Sequence, residues 1–178
     1  MSTSSIPAAP DAEALYQALL QQVRAGLDGI ADVAIVGIHS GGAWLAERLA
    51  RDLDLVARLG FIDVSFYRDD YARKGLHPDV KPTQIGFNVD RCTLLLVDDV
   101  LYTGRTTRAA INVLFDYGRP ARIMLAALVD RGGRELPVAA DFVAATLALA
   151  PRQALALQRA SDGKLMLTIE TDETDHHA

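Results

Sequence analysis

Unbroken apolar runs alternate along the chain with stretches in which apolar residues recur every three or four positions. The runs from Asp32 to Ile38 (DVAIVGI), Thr93 to Val97 and Ile123 to Val129 lack polar alternation, so each predicts a strand buried on both faces of a parallel sheet. Between them, Leu15, Ala18, Leu19, Val23 and Leu27 form one face of a helix over residues 11–27, with Asp11 as its N-cap and Gly29 beyond its end. Leu45, Leu49 and Leu53 mark a second helix, and Ala109, Ala110, Val113 and Leu114 a third, from Arg105 to Tyr117, stopped by Gly118 and Pro120. Phe61 to Tyr67 alternates, with Ile62, Val64 and Phe66 on one face, and reads as a further strand. Past Phe142 the pattern predicts strands at Val143–Leu149, Ala154–Arg159 and Leu165–Glu170, the last two joined by a hairpin turn at Ser161-Asp162-Gly163-Lys164. Strands alternating with helices define an α/β fold, a doubly wound and mostly parallel sheet.

The stretch from Arg68 to Cys92 has Gly, Pro, His and charge but no sustained period. A connection of this length in a compact domain is usually functional, so residues 68–92 are expected to form a lid, with Ala72 to Asn88 its mobile part. The expected organisation is a flexible tail over 1–10, one domain over 11–170 and a flexible acidic tail over 171–178. The histidines of that second tail, His176 and His177, lack further ligands at useful spacing.

A length of 178 residues suits one full core, and the net charge of −5 excludes a generic nucleic-acid coat. The first ten residues have no basic start and no apolar centre, so they read as a tail rather than a signal peptide, and no apolar run is long enough to span a membrane. The single Cys92 points to a reducing, cytoplasmic setting and an inert buried thiol. Trp44 is expected in the core or a subunit interface rather than against a ligand.

The candidate chemistry sits at the end of the central run, LLLVDDVLYTGRTT, from Leu94 to Thr107. Adjacent acids at the end of a buried strand repel and resist desolvation, so Asp98 and Asp99 imply a ligand that supplies hydroxyls or a cation. Gly104 allows close backbone approach, the opening turn of the next helix favours an anion, and Thr103, Thr106 and Thr107 add hydroxyls. That combination reads as a phosphate cradle beside a diol clamp. A nucleoside-triphosphate P-loop is excluded, because no Gly-Lys-[Ser/Thr] follows the strand. On the same edge of the sheet fall His39-Ser40-Gly41-Gly42, where glycines let amides face an anion, and Asp130-Arg131-Gly132-Gly133-Arg134-Glu135.

The run Leu94 to Thr107 resembles the 5-phosphoribosyl-1-diphosphate (PRPP) signature of the type I phosphoribosyltransferases. Together with DVSFYRDD at Asp63 to Asp70, FDYGRP at Phe115 to Pro120 and LVDRGGRELP at Leu128 to Pro137, it is similar to the PyrR family of pyrimidine operon regulators and uracil phosphoribosyltransferases. The resemblance spans about Asp32 to Val143. It implies the type I phosphoribosyltransferase fold with a small hood, and transfer of phosphoribosyl from PRPP to uracil, giving UMP and diphosphate. It further implies PRPP binding by Leu94, Leu95, Leu96, Val97, Asp98, Asp99, Val100, Leu101, Tyr102, Thr103, Gly104, Arg105, Thr106 and Thr107, with Asp98, Asp99 and Arg68 in catalytic roles. Pyrophosphate would lie on His39, Ser40, Gly41, Gly42, Arg68, Arg131 and Arg134, with a cis peptide at His39-Ser40. Magnesium (Mg2+) would be the cofactor, with Asp130 reaching it through water. Where relatives often have Gly-His, this chain has Gly132-Gly133, and it lacks their basic residue in the Ser40-Gly41 loop and their basic ending.

Implied partners are PRPP, uracil, UMP, further copies of the chain in a homodimer or higher oligomer, and pyr messenger RNA. Arg24, Arg48, Arg51 and Arg58 are the residues that could gather into a basic patch for that RNA. Two alternatives stay open at this stage: a UMP-sensing RNA-binding regulator with weak catalysis, and a phosphoribosyltransferase for a purine or orotate.

Overall fold

The computed structural model describes residues 8–65 and 81–171. Strands β1 (Val33–Ile38), β2 (Leu59–Ile62), β3 (Thr93–Leu101), β4 (Arg122–Asp130) and β5 (Phe142–Thr146) form one sheet in the order β2-β1-β3-β4-β5, and every pairing in it is parallel. β6 (Gln153–Arg159) and β7 (Leu165–Thr171) form a separate antiparallel hairpin. Helices α1 (Ala12–Leu27), α2 (Gly41–Asp52) and α3 (Arg105–Tyr117) complete the α/β fold.

Two apolar clusters, one on each face, explain why the central strands carry no polar alternation. Leu95 and Val97 pack with α1, α2 and the hairpin leucines Leu155, Leu157, Leu165 and Leu167, while Leu94 and Leu96 pack with Ala109, Ala110 and Leu114 of α3. At roughly 1.5–3 kcal/mol for each fully buried Leu, this double burial makes β3 the strand that orders the rest. The Asp11 carboxylate starts α1 by accepting from the Glu13 and Ala14 amides. Glu13 in turn accepts from Arg48 at 2.8 and 2.9 Å and from the Leu165 amide at 2.7 Å, which fastens the hairpin to both helices. Arg159 adds an ion pair to Glu47 at 2.9 Å and lies 5.1 Å from the Trp44 ring, so Trp44 sits at the edge of the core, under the hairpin.

Three expectations shift. β2 begins at Leu59 and ends at Ile62, because Asp63 turns inward and accepts from the Ser65 and Lys81 amides; Phe66 and Tyr67 lie outside the described residues. β5 covers Phe142–Thr146 rather than 143–149. The second half of the expected lid is docked: Phe61 and Gln84 exchange backbone hydrogen bonds of 2.8 Å, and Ile85, Phe87 and Val89 turn every second side chain into the α3-side cluster. That period of two is present in the sequence but spans only three apolar positions, spaced by Gly86 and Asn88. The remainder of the lid, with Arg68, and both outermost tail segments fall outside the described residues; Ala9, placed in the tail, packs on the core, and Thr171 belongs to β7.

Candidate functional site at the carboxyl edge of the sheet

The strand order reverses between β1 and β3, since the chain leaves β1 toward β2 and leaves β3 toward β4 and β5. Loops diverge at such a switch point and leave a crevice outside the strand ends. The β1–α2 loop lines one side of it and the β3–α3 loop the other.

β3 runs past the acid pair to Leu101, not ending at Val97. Leu94, Leu95, Leu96 and Val97 have no exposed surface, and Leu101 has 1%, so their side chains form the scaffold of this stretch. They place Asp98 and Asp99. Asp99 lies on the α2 side, where its carboxylate is in such close contact with Gly41 that a Cβ on that glycine would overlap it. Strand alternation sends Asp98 to the opposite face. It is only 2% exposed, and its Oδ1 accepts from the Asp99 amide at 3.0 Å. The acids therefore straddle the sheet edge rather than forming one paired clamp.

The β1–α2 loop contains the cis peptide His39–Ser40 and opens α2 with no side-chain cap from Ser40. A Cβ on Gly42 would overlap the Val97 carbonyl, so only glycines let this loop press against β3. His39 donates its amide to the Ile62 carbonyl at 2.9 Å and its ring sits 5.5 Å from that of Phe61. Burial, followed by the Lys81 charge, pushes the His39 pKa down despite Asp63 and Glu47, which favours a neutral ring beside the crevice.

Across the crevice, Gly104 takes the left-handed conformation (φ 90°) and starts α3. The Arg105 amide donates to Thr103 Oγ1 at 3.3 Å. Thr106 is half-buried, whereas Thr107 is 1% exposed and its hydroxyl has no partner among the described residues. A buried hydroxyl left unpaired costs about 1–3 kcal/mol, and in the first turn of a helix such a donor is placed where an anion is favoured.

The β4–β5 loop differs. Arg134 donates to Asp130 at 2.5 Å, to the Tyr102 carbonyl at 2.6 Å, to the Val138 carbonyl at 2.8 Å and, more weakly, to the Gly132 carbonyl at 3.4 Å. Asp130 also accepts from the Gly132 amide at 2.9 Å. Burial raises the Asp130 pKa, but the Arg134 and Gly132 hydrogen bonds outweigh it and the net shift is downward. Arg131 lies 3.9 Å from the Tyr102 ring centre and donates to the Gln153 carbonyl at 3.0 Å, while its Nε is buried without a partner among the described residues. Arg105 forms a forked contact with Glu135 at 2.6 and 2.9 Å. The expected pyrophosphate arginines Arg131 and Arg134, and the expected metal residue Asp130, are thus engaged by the protein itself. Gly133 has φ 72° and abuts the Tyr102 ring, which a Cβ at this position would overlap.

The phosphoribosyl transferase domain model matches residues 2–148. The chain is 54% identical over 155 residues to the "Bifunctional protein PyrR" of Ralstonia nicotianae, covering 86% of this chain and 88% of that one. It belongs to the PyrR family of type I phosphoribosyltransferases. A second PyrR, of Pseudomonas aeruginosa, is 50% identical over 142 residues, 79% of this chain and 84% of its own. Among solved structures, hypoxanthine phosphoribosyl transferase of Trypanosoma cruzi matches with TM-score 0.61 at 21% identity, over 84% of this chain and 83% of that one. The Leishmania tarentolae HGPRT-ase in complex with GMP matches with TM-score 0.60 at 17% identity, over 83% and 84%. These two share the fold.

Membership in the PyrR family raises the question of RNA, and here the arginines set aside for a basic patch are partly engaged. Arg48 holds Glu13, Arg58 holds Asp32 at 2.6 Å, and Arg24 donates to the Asp52 carbonyl at 3.0 Å. Cys92 is fully buried, burial raises its pKa, and its thiol donates to the Val89 carbonyl. Among the described residues no helix is long and apolar enough to cross a membrane, and no group of three or more His, Cys, Asp or Glu could hold a metal ion.

Proposed function

We propose that this PyrR-family chain is a uracil phosphoribosyltransferase: N1 of uracil attacks C1 of PRPP, the bond from C1 to diphosphate breaks, the N1 proton is lost, and UMP forms. The observation that carries the reading is the buried Thr107 hydroxyl, unpaired among the described residues, in the helix that the left-handed Gly104 opens directly after the strand carrying the acid pair. A 5-phosphate on the β3–α3 loop satisfies that hydroxyl, and the same placement leaves the ribose hydroxyls for Asp98 and Asp99. As the bond to the leaving group breaks, positive charge grows on the ribose, and the two carboxylates stabilise it more than they stabilise the ground state.

His39 to Gly42, at the opening of α2, face the leaving group. Arg68, outside the described residues, is assigned to the leaving group by resemblance alone. A magnesium ion, when bound, neutralises the diphosphate and assists its departure. The residues that would hold this hard ion are the carboxylates Asp98 or Asp99, with substrate and water supplying most of its oxygens, and Asp130, whose own hydrogen bonds would confine it to a water-bridged role.

The partners in this reading are PRPP, uracil, UMP and a second copy of the chain. Regulation through pyr RNA ranks second, because Arg24, Arg48 and Arg58 are engaged within the chain. The test is an assay with PRPP and magnesium against uracil, orotate, hypoxanthine and guanine in parallel. UMP as the dominant product supports the proposal; preference for another base, or no turnover with tight, UMP-dependent RNA binding, replaces it.

A further inference from the structure

The loop after β4 resembles a ligand loop in composition but is built as a brace. Arg134 stands at its centre, its guanidinium linking the Asp130 carboxylate at the end of β4, the Val138 carbonyl further along its own loop and the Tyr102 carbonyl in the β3–α3 loop. The Thr103 carbonyl accepts from the Glu135 and Leu136 amides at 3.0 and 3.1 Å, and Arg105 pairs with Glu135. A Cβ on Gly104 would press on Val138. The residues from Tyr102 to Arg105, which present the amides of the phosphate cradle, therefore rest along their length on the 130–138 loop.

We propose that Arg134 is a positioning residue: it binds no phosphate itself, and its three-way bridge from Asp130 to Tyr102 and Val138 holds the β3–α3 loop in the shape that receives the 5-phosphate of PRPP. This rests on the phosphoribosyltransferase reading and deepens it. The planar guanidinium fork spans these acceptors in different directions, whereas an ammonium supplies the same charge as a compact point donor. A residue that binds the leaving group directly acts on pyrophosphate; one that shapes the cradle acts on ligands that carry the 5-phosphate.

The test uses the full-length chain, with Arg134→Ala and Arg134→Lys, and measures binding of ribose 5-phosphate and of inorganic pyrophosphate separately by calorimetry. Thermal unfolding and kcat and KM for PRPP are measured in parallel. The proposal expects ribose 5-phosphate affinity to fall about tenfold in both variants, pyrophosphate affinity to stay within about twofold, and guanidinium at millimolar concentration to restore the Arg134→Ala loss. Loss of pyrophosphate affinity with retained ribose 5-phosphate affinity, or full recovery in Arg134→Lys, overturns it in favour of direct electrostatic binding. Unchanged affinity for both ligands also overturns it. If Arg134→Ala unfolds, Arg134→Lys decides by the same two affinities. Because binding of ribose 5-phosphate requires no acceptor base, a wild-type chain that binds it without making UMP defeats the uracil reading while leaving this test intact.

Discussion

The β3–α3 loop and the β4–β5 loop lie on the same edge of the same sheet, one strand apart, and both are rich in glycine and charge. They differ in what their polar side chains are tied to. In the first, the buried Thr107 hydroxyl has no partner among the described residues, and the strand before it carries Asp98 and Asp99 on opposite faces. In the second, Arg134 alone makes four hydrogen bonds to its surroundings, and Asp130 uses both oxygens. Charge and glycine mark a sheet-edge loop; the hydrogen bonds of Arg134 and Asp130 mark the second as a support for its neighbour.

The sharpest break of this contrast is at the acids. Asp98→Asn with Asp99→Asn is expected to lower kcat/KM by about 2–4 kcal/mol in activation free energy while the unfolding midpoint changes little, since the charge matters as the ribose cation develops. Steady-state kinetics beside a thermal melt check this, and an unchanged kcat/KM would remove the acids from the mechanism. The single variants sharpen it, because carboxylates on opposite faces should not contribute equally.

Next in size is Gly41→Ala. The added methyl meets the Asp99 carboxylate, so either the loop or the acid must move, costing roughly 1–3 kcal/mol of stability together with lost turnover. Denaturant titration and kcat/KM should both register the change; a variant indistinguishable from wild type would mean that the loop yields freely.

Thr107→Val has opposite signs in the free and bound protein. Removing an unsatisfied buried hydroxyl is expected to raise the stability of the free chain by about 1 kcal/mol, and to weaken PRPP binding by a similar amount. Calorimetric titration with PRPP, alongside unfolding without it, separates the two, and weakened stability in the free state would show that Thr107 already has a partner.

The smallest effect belongs to the brace. The Asp130 pKa lies below its ordinary value in the folded state, so its carboxylate adds stability above the unfolded-state pKa, and that stability is lost as pH falls through the folded value. Asp130→Asn is expected to be about 1 kcal/mol less stable at neutral pH, with the gap to wild type closing in acid. A gap that persists at low pH would trace the effect to packing rather than to charge.

Much of the fold was legible because burial leaves a direct mark on composition. Strands covered on both faces must be apolar throughout, and β1, β3 and β4 could be read from that alone. The acid pair, Gly104 and the threonines stood out as a candidate site for the converse reason: adjacent acids at the end of a buried strand repel and resist desolvation. The alternation of Ile85, Phe87 and Val89 was too short to read, three apolar positions spaced by Gly86 and Asn88, and it becomes a docked strand-like segment only against the backbone of Phe61.

Sequence by itself determined the α/β class, the strand that anchors it, the glycine turn that opens α3 and the PyrR resemblance, all properties of residues close together along the chain. Tertiary structure alone decided that Asp99 abuts Gly41, that Arg134 reaches back to Tyr102, that Arg48 belongs to Glu13, and that β3 continues beyond its acids. An arginine carries the same charge whether it faces a phosphate or a carbonyl. Which of these it meets depends on the path of a distant loop, and no local pattern of residues encodes that path.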